Sequence, residues 1–307
     1  MKYSIERRQE LLKKLEELAK KVGSINRTTE LTGISAAVIS QLKNNKYKGD
    51  ADGMYEKLEM YFSACEQQAE LKNDGNTYVP TSISEDVYAI IKNCQLKGGL
   101  AIACGDAGVG KTKAAQKFVA DNPSLSLLVT VNPCLKGSRS VLKLLCDKLS
   151  VNEKTLDEMW LGIANKLRDK MVLIIDEAQH LPIKTIEALR AFSDYFNDKG
   201  QTLGIVFIGN MEAVHNFNGN RRADFAQIVN RTKQNRQYYT RNITRGDIVK
   251  LFPELEDRNP EIDFMLAIAQ SKQAIRGAAN LYSNASDNED TSYNGLVAMA
   301  KAMEMEI

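Results

Sequence analysis

Histidine and cysteine are scarce in this 307-residue sequence. There are two histidines, His180 and His215, and five cysteines, Cys65, Cys94, Cys104, Cys134 and Cys146. The cysteines are odd in number and widely spaced, and none forms a CxxC pair. That excludes a disulfide framework or a zinc module and points to a reducing compartment. Long apolar runs are also missing. Met171–Ile175 and Leu203–Ile208 are far too short to span a bilayer. The N-terminus opens on alternating charges instead of an apolar signal core, so a cytoplasmic protein is expected. Charge of one sign is not in excess either: 41 Lys and Arg face 39 Asp and Glu, a net of +2. With 43% hydrophobic and 26% charged residues, the composition is that of a globular chain, which excludes a wholly disordered, collagen-like or coiled-coil protein. The length suits roughly two domains.

The small net charge hides an uneven distribution. Residues 1–50 carry a net of +5 and residues 220–250 a net of +6, so the remainder sums to −9. Two basic segments on an otherwise acidic chain suit contact with a polyanion, although solvated helix faces would have the same composition.

The N-terminal segment reads as an all-α domain. Leu12, Leu15, Ala19 and Val22 recur at helical spacing over residues 4–22. Next comes a short helix to about Leu31, a turn through Thr32, Gly33 and Ile34, and a second helix capped by Ser35. Val38, Ile39 and Leu42 face the core of this layout, while Ser35, Ala36, Ser40, Gln41 and Asn44 stay outward. This is a helix-turn-helix pattern, in which the second helix enters the major groove. Gln and Asn can read adenine, and Lys43, Lys46 and Lys48 can hold phosphates. The segment looks like the N-terminal domain of phage-type repressors. A small helical bundle with no nucleic acid is the alternative. One more helix is expected over residues 51–71. The polar stretch 72–82, with Gly75 and Pro80, reads as a linker. We therefore expect a helix-turn-helix domain at 1–71, an α/β core at 83–245 and a helical domain at 246–307.

From Ser84 onward, apolar runs alternate with helical patterns, the signature of a mostly parallel sheet. The segment Gly105-Asp106-Ala107-Gly108-Val109-Gly110-Lys111-Thr112 fits GxxxxGK[ST] between an apolar strand and a helix. The glycines let the backbone approach phosphate closely, and successive N–H groups at a helix N-terminus supply a positive concavity. Lys111 is expected to reach the β- and γ-phosphates, and the Thr112 hydroxyl to ligate magnesium. About 65 residues on, Met171–Ile175 ends in Asp176 and Glu177, at the strand end where open α/β sheets place ligands. Asp176 is the candidate magnesium holder and Glu177 the candidate general base for an attacking water. A third strand, Leu203–Ile208, leads to Asn210, an amide able to orient that water. Arg276, in the segment QAIRGAAN, is a candidate γ-phosphate contact at the start of a lid helix. Lys136 and Arg139, in a loop after the strand Leu127–Val131, are candidates for contact with a nucleic-acid backbone.

These segments, in this order, resemble the AAA+ ATPases. Together with the N-terminal helix-turn-helix and the segment GNRRADFAQIVNR, the chain resembles the phage Mu transposition protein B family. The resemblance implies a P-loop NTPase fold with a helical lid, ATP and Mg2+ as cofactors, and ATP hydrolysis. It also implies double-stranded DNA bound with little sequence preference, a helical homo-oligomer on that DNA, and a transposase as partner. Gly105–Thr112 would be its Walker A loop, Asp176 and Glu177 its Walker B pair, Asn210 its sensor 1 and Arg276 its sensor 2. An arginine from a neighbouring subunit would complete the site: Arg231 by its place after the sensor strand, with Arg221 and Arg222 as alternatives. Two other functions stay open, an origin-recognition or helicase-loader ATPase and a nucleotide-sensing transcriptional repressor.

Overall fold

The computed structural model describes residues 3–22, 28–29, 32–44, 46–47, 49–59, 61–62, 78–210 and 232–305. The chain divides into two compact units, Met1–Thr77 and Tyr78–Ile307.

Among its described residues, the regular secondary structure of the first unit is all helical. Helix α1 spans Ile5–Val22, α2 spans Ala36–Lys43, and α3 covers residues 51–59. Gly33 makes the expected turn, with a φ of +67°, and the Ser35 hydroxyl accepts from the Val38 N–H to cap α2. Leu11, Leu15, Ile34, Ile39, Leu42, Tyr55 and Leu58 form the core. The buried stripe of α1 thus runs through Leu11, while Leu12 is only partly covered. The expected phase is off by one position there, because two adjacent leucines satisfy the helical period equally well. Arg7 pairs with Glu59 and Arg8 with Asp52, tying α1 to α3.

Among its described residues, the second unit is built around a five-stranded, fully parallel sheet. Its strands are β1 (Gly99–Gly105), β2 (Ser126–Thr130), β3 (Met171–Asp176), β4 (Leu203–Gly209) and β5 (Thr232–Tyr238), in the order β2-β3-β4-β1-β5. Its central strands are buried on both faces, so they read as continuous apolar runs, and alternate residues feed two cores. Leu100 and Ile102 of β1, Leu173 and Ile175 of β3, and Ile205 and Phe207 of β4 join the helices α6 (Ser138–Leu149), α7 (Leu156–Lys166) and α8 (Ile183–Asp198) on one side. Ala101, Ala103, Val172, Ile174, Val206 and Ile208 join α4 (Ser82–Lys97) and α5 (Lys111–Asp121) on the other.

That second core continues into the C-terminal helices α9 (Arg245–Leu251), α10 (Asn259–Gln270), α11 (Ala274–Asp287) and α12 (Tyr293–Ala302). Ile248, Ile262, Met265, Ile268, Leu281 and Leu296 are all buried in it. The lid is thereby fixed to the sheet by shared apolar burial. A polar clasp adds to this. Asp247 is 1% exposed. Its Oδ1 accepts from the Ser82 N–H at 2.6 Å and the Ser82 hydroxyl at 2.9 Å, and its Oδ2 accepts from the Thr244 N–H and hydroxyl, both at 2.9 Å.

Two expectations need correction. Residues 78–82, expected in the linker, belong to the second unit: Thr81 and Ser84 form a reciprocal capping box that starts α4 at Ser82. Arg139 lies in the first turn of α6, not in a loop, because the helix begins at Ser138. Its guanidinium donates to the Lys154 carbonyl at 2.9 Å.

Candidate nucleotide site

The carboxyl ends of β1, β3 and β4 lie side by side, and the motif residues cluster there. Gly105 closes β1. A Cβ on it would sit 2.1 Å from the Tyr238 carbonyl oxygen, so only glycine lets the end of β5 press against the loop. Asp106 then locks that contact. Its N–H donates to the Tyr238 carbonyl at 2.8 Å, and its carboxylate accepts from the Thr240 N–H at 2.7 Å. Gly108 and Gly110 have φ values of +78° and +103°, the left-handed turns that aim successive N–H groups inward. Between them Val109 is buried and anchors the loop from beneath, while Ala107 is exposed.

Lys111 and Thr112 open α5. Lys111 is 8% exposed, and its ammonium donates to the carbonyls of Gly105 at 2.9 Å and Asp106 at 2.7 Å. Burial pushes its pKa down, against the opposing pull of Asp176, Asp106 and Glu177. The Thr112 hydroxyl donates to Asp176 Oδ2 at 2.9 Å, joining two motifs 64 residues apart. Asp176 is 2% exposed, and burial pushes its carboxyl above the usual range even though the Thr112 hydroxyl and the Glu177 N–H favour its charged form. A buried carboxylate and a hydroxyl beside an ammonium and a ring of backbone donors suit a polyphosphate with a hard divalent cation. Such a cation typically takes only one or two protein oxygens beside the phosphates. Among the described residues no cluster of three His, Cys, Asp or Glu side chains offers a different metal site.

Glu177 follows β3 with a left-handed backbone, φ +59° and ψ +35°, an unusual state for a non-glycine residue at a strand end. Its carboxylate is exposed and accepts from the Gln179 side-chain amide. The amide oxygen of Gln179 accepts from the Asn210 N–H at 3.2 Å, immediately past β4. Gln179 was not singled out from the sequence. Its importance comes from the meeting of two strands, which no local pattern displays.

The start of α11 covers the loop. A Cβ on Gly108 would lie 3.1 Å from Ala274 Cβ and 3.2 Å from Arg276 Cβ, so Arg276 stands directly over the glycine cradle. Ala274 takes a φ of +55° there while fully buried.

Arg221, Arg222 and Arg231 lie outside the described residues. Lys136 is exposed in the segment between β2 and α6, and its carbonyl accepts from the buried Thr185 hydroxyl at 3.1 Å. In the first unit, Ser35, Ser40, Gln41 and Lys46 are exposed. Lys43 pairs with Glu16 at 3.1 Å, a half-exposed contact that a stronger anion could displace.

Residues 95–217 match the family model described as an AAA domain. The chain is 27% identical over 251 residues to the ATP-dependent target DNA activator B of Escherichia phage Mu, covering 80% of this chain and 77% of that protein. It is 29% identical over 181 residues to the Mu-like prophage FluMu DNA transposition protein B of Haemophilus influenzae, covering 58% of this chain and 61% of that protein. Among solved structures it is similar to Cdc6p from Pyrobaculum aerophilum, with a TM-score of 0.55 at 16% identity, covering 76% of this chain and 71% of that one. The fold is that of an AAA+ P-loop NTPase, and the sequence resembles the Mu transposition B proteins.

Proposed function

We propose that this AAA+ chain is an ATP-dependent DNA-binding activator of transposition, which occupies target DNA in its ATP state and leaves it after hydrolysis. The observation that carries the reading is the Thr112–Asp176 hydrogen bond beneath the glycine cradle. It supports a nucleotide-and-cation site in a chain whose curated relatives are named target DNA activator and DNA transposition protein.

In this reading Gly105–Thr112 cradle the phosphates of ATP through backbone N–H groups. Lys111 turns from its own loop carbonyls to the β- and γ-phosphates. Thr112 and Asp176 would hold Mg2+, which neutralises phosphate charge when bound. Glu177 takes the proton of the attacking water, Asn210 orients that water, and Arg276 meets the γ-phosphate from the lid. An arginine of a neighbouring copy, Arg231 or else Arg221 or Arg222, counters the developing charge. Because a site shared between copies is complete only on stacking, ATP favours assembly along the duplex and hydrolysis weakens it. The first unit, with Ser35, Ser40 and Gln41 outward and Lys43 and Lys46 beside them, contacts double-stranded DNA. So does the segment carrying Lys136, with Arg139 at the start of α6. Among the described residues no helix is long and apolar enough to cross a membrane.

The test is strand transfer into a plasmid target by a cognate transposase, with and without this protein. Stimulation that requires ATP and is lost with Lys111→Ala supports the reading. Equal transfer without the protein, or with ADP, contradicts it.

A further inference from the structure

The side chain of Gln179 bridges two candidate site residues, the carboxylate of Glu177 and the backbone of Asn210, and both of its amide ends are committed. Its oxygen accepts from the Asn210 N–H at 3.2 Å, and its nitrogen donates to Glu177 Oε2. The orientation is fixed by chemistry. A flipped amide would set NH2 against a backbone N–H and its oxygen against a carboxylate, two repulsions in place of two bonds. Gln179 is 8% exposed, while Glu177 beside it is exposed. A held group therefore restrains a solvent-facing one. The turn carrying it is closed by backbone bonds from His180 N to the Glu177 carbonyl at 3.1 Å and from Leu181 N to the Ala178 carbonyl at 3.0 Å. On the other side, the Glu177 N–H donates to Asp176 Oδ1 at 3.0 Å.

We infer that Gln179 is a positioning residue for hydrolysis: its amide fixes the Glu177 carboxylate in register with the end of β4, so that the base and Asn210 move as one unit. The inference rests on the reading of Glu177 as the general base. One carboxylate oxygen is occupied by the amide, which leaves the other to face the water. A base left free to rotate would spend most of its time misaligned, and that cost falls on turnover instead of on nucleotide binding.

The experiment uses the full chain with ATP, Mg2+ and duplex DNA. Four variants are compared with wild type: Gln179→Ala, Gln179→Met, Glu177→Gln and the double variant Glu177→Gln/Gln179→Ala. Gln179→Met keeps the buried volume and removes both hydrogen bonds, which guards against a folding defect. The expected result is a kcat lower by about tenfold in both single Gln179 variants, the loss typical of one orienting hydrogen bond. KM and thermal midpoint stay near wild type, and the double variant is no slower than Glu177→Gln alone. Wild-type turnover in Gln179→Met, or KM and thermal midpoint shifting together with kcat, overturns the inference while leaving the Glu177 reading intact. Wild-type turnover in Glu177→Gln overturns the base reading and this inference together.

Discussion

Replacing Lys111 by alanine tests the nucleotide site at its buried ammonium. The ammonium makes two hydrogen bonds, at 2.9 and 2.7 Å, to neutral carbonyls of its own loop. Nucleotide binding exchanges those acceptors for phosphate oxygens. A hydrogen bond with one charged partner nets about 1.5–3 kcal/mol, and charge on both sides strengthens it further. The loss of binding on truncation is the difference between the two sets, about 2–4 kcal/mol, and not the full worth of two bonds. That corresponds to an affinity for ATP weaker by roughly 30- to 1,000-fold. The nucleotide-free fold should suffer little. Burial lowers the Lys111 pKa, so holding its charge there costs folding energy, and removing it offsets the two carbonyls left without a donor. Calorimetric titration with ATP and Mg2+ gives the affinity, and a thermal melt without nucleotide checks the fold. An affinity within about threefold of wild type, with the melt unchanged, would refute the placement of Lys111 against phosphate.

Other outcomes follow from the same geometry. Glu177→Gln is expected to bind ATP within a few-fold of wild type and to lose about 10²–10⁴ in turnover, the usual weight of a general base; single-turnover hydrolysis measures it, and a loss confined to affinity would contradict it. Burial pushes the Asp247 carboxyl up, but donors from Ser82 and Thr244 outweigh it and hold the net value below the usual range. Its folded value lies below the unfolded one, so its stabilisation is present above about pH 4 and is lost as pH falls through the folded value. Asp247→Asn should thus cost about 1–3 kcal/mol at pH 7 and flatten the acid limb of a urea-midpoint profile; parallel profiles would count against the clasp. Asp176 has the opposite sign. Its folded value is raised by burial, so its charge costs stability at neutral pH, a cost relieved as pH falls through that raised value. Asp176→Asn should raise the nucleotide-free melting temperature by about 2 °C while weakening Mg2+-dependent nucleotide binding; a lower melting temperature would contradict this.

Much of the site is legible in the sequence because it is local. Gly105–Thr112 is one contiguous segment, and Asp176 ends, and Asn210 directly follows, strands whose apolar runs stand out. Burial on both faces writes those strands as continuous hydrophobic stretches. Strand β5 escapes the same reading: Thr-Lys-Gln-Asn-Arg-Gln-Tyr has no apolar alternation, because as an edge strand it buries Tyr238 but leaves Lys233, Asn235, Arg236 and Gln237 exposed. Its place comes from backbone pairing with β1 and from the contact of Tyr238 with the loop at Gly105. Gln179 is illegible for a different reason. Its partners lie on two strand ends that meet only after folding. Arg139 was expected in a loop because no side-chain cap marks the start of α6; Gly137 stands at that position.

The most direct test of the central claim is the anisotropy of a fluorescent duplex titrated with the full chain in ATP and Mg2+, in ADP and Mg2+, and without nucleotide, each at low and high salt. The account predicts tight binding with ATP alone, weaker binding with ADP, a steep loss with salt as phosphate contacts release counterions, and no ATP effect in Lys111→Ala. Equal affinity in all three nucleotide states, with ATP bound, would contradict it.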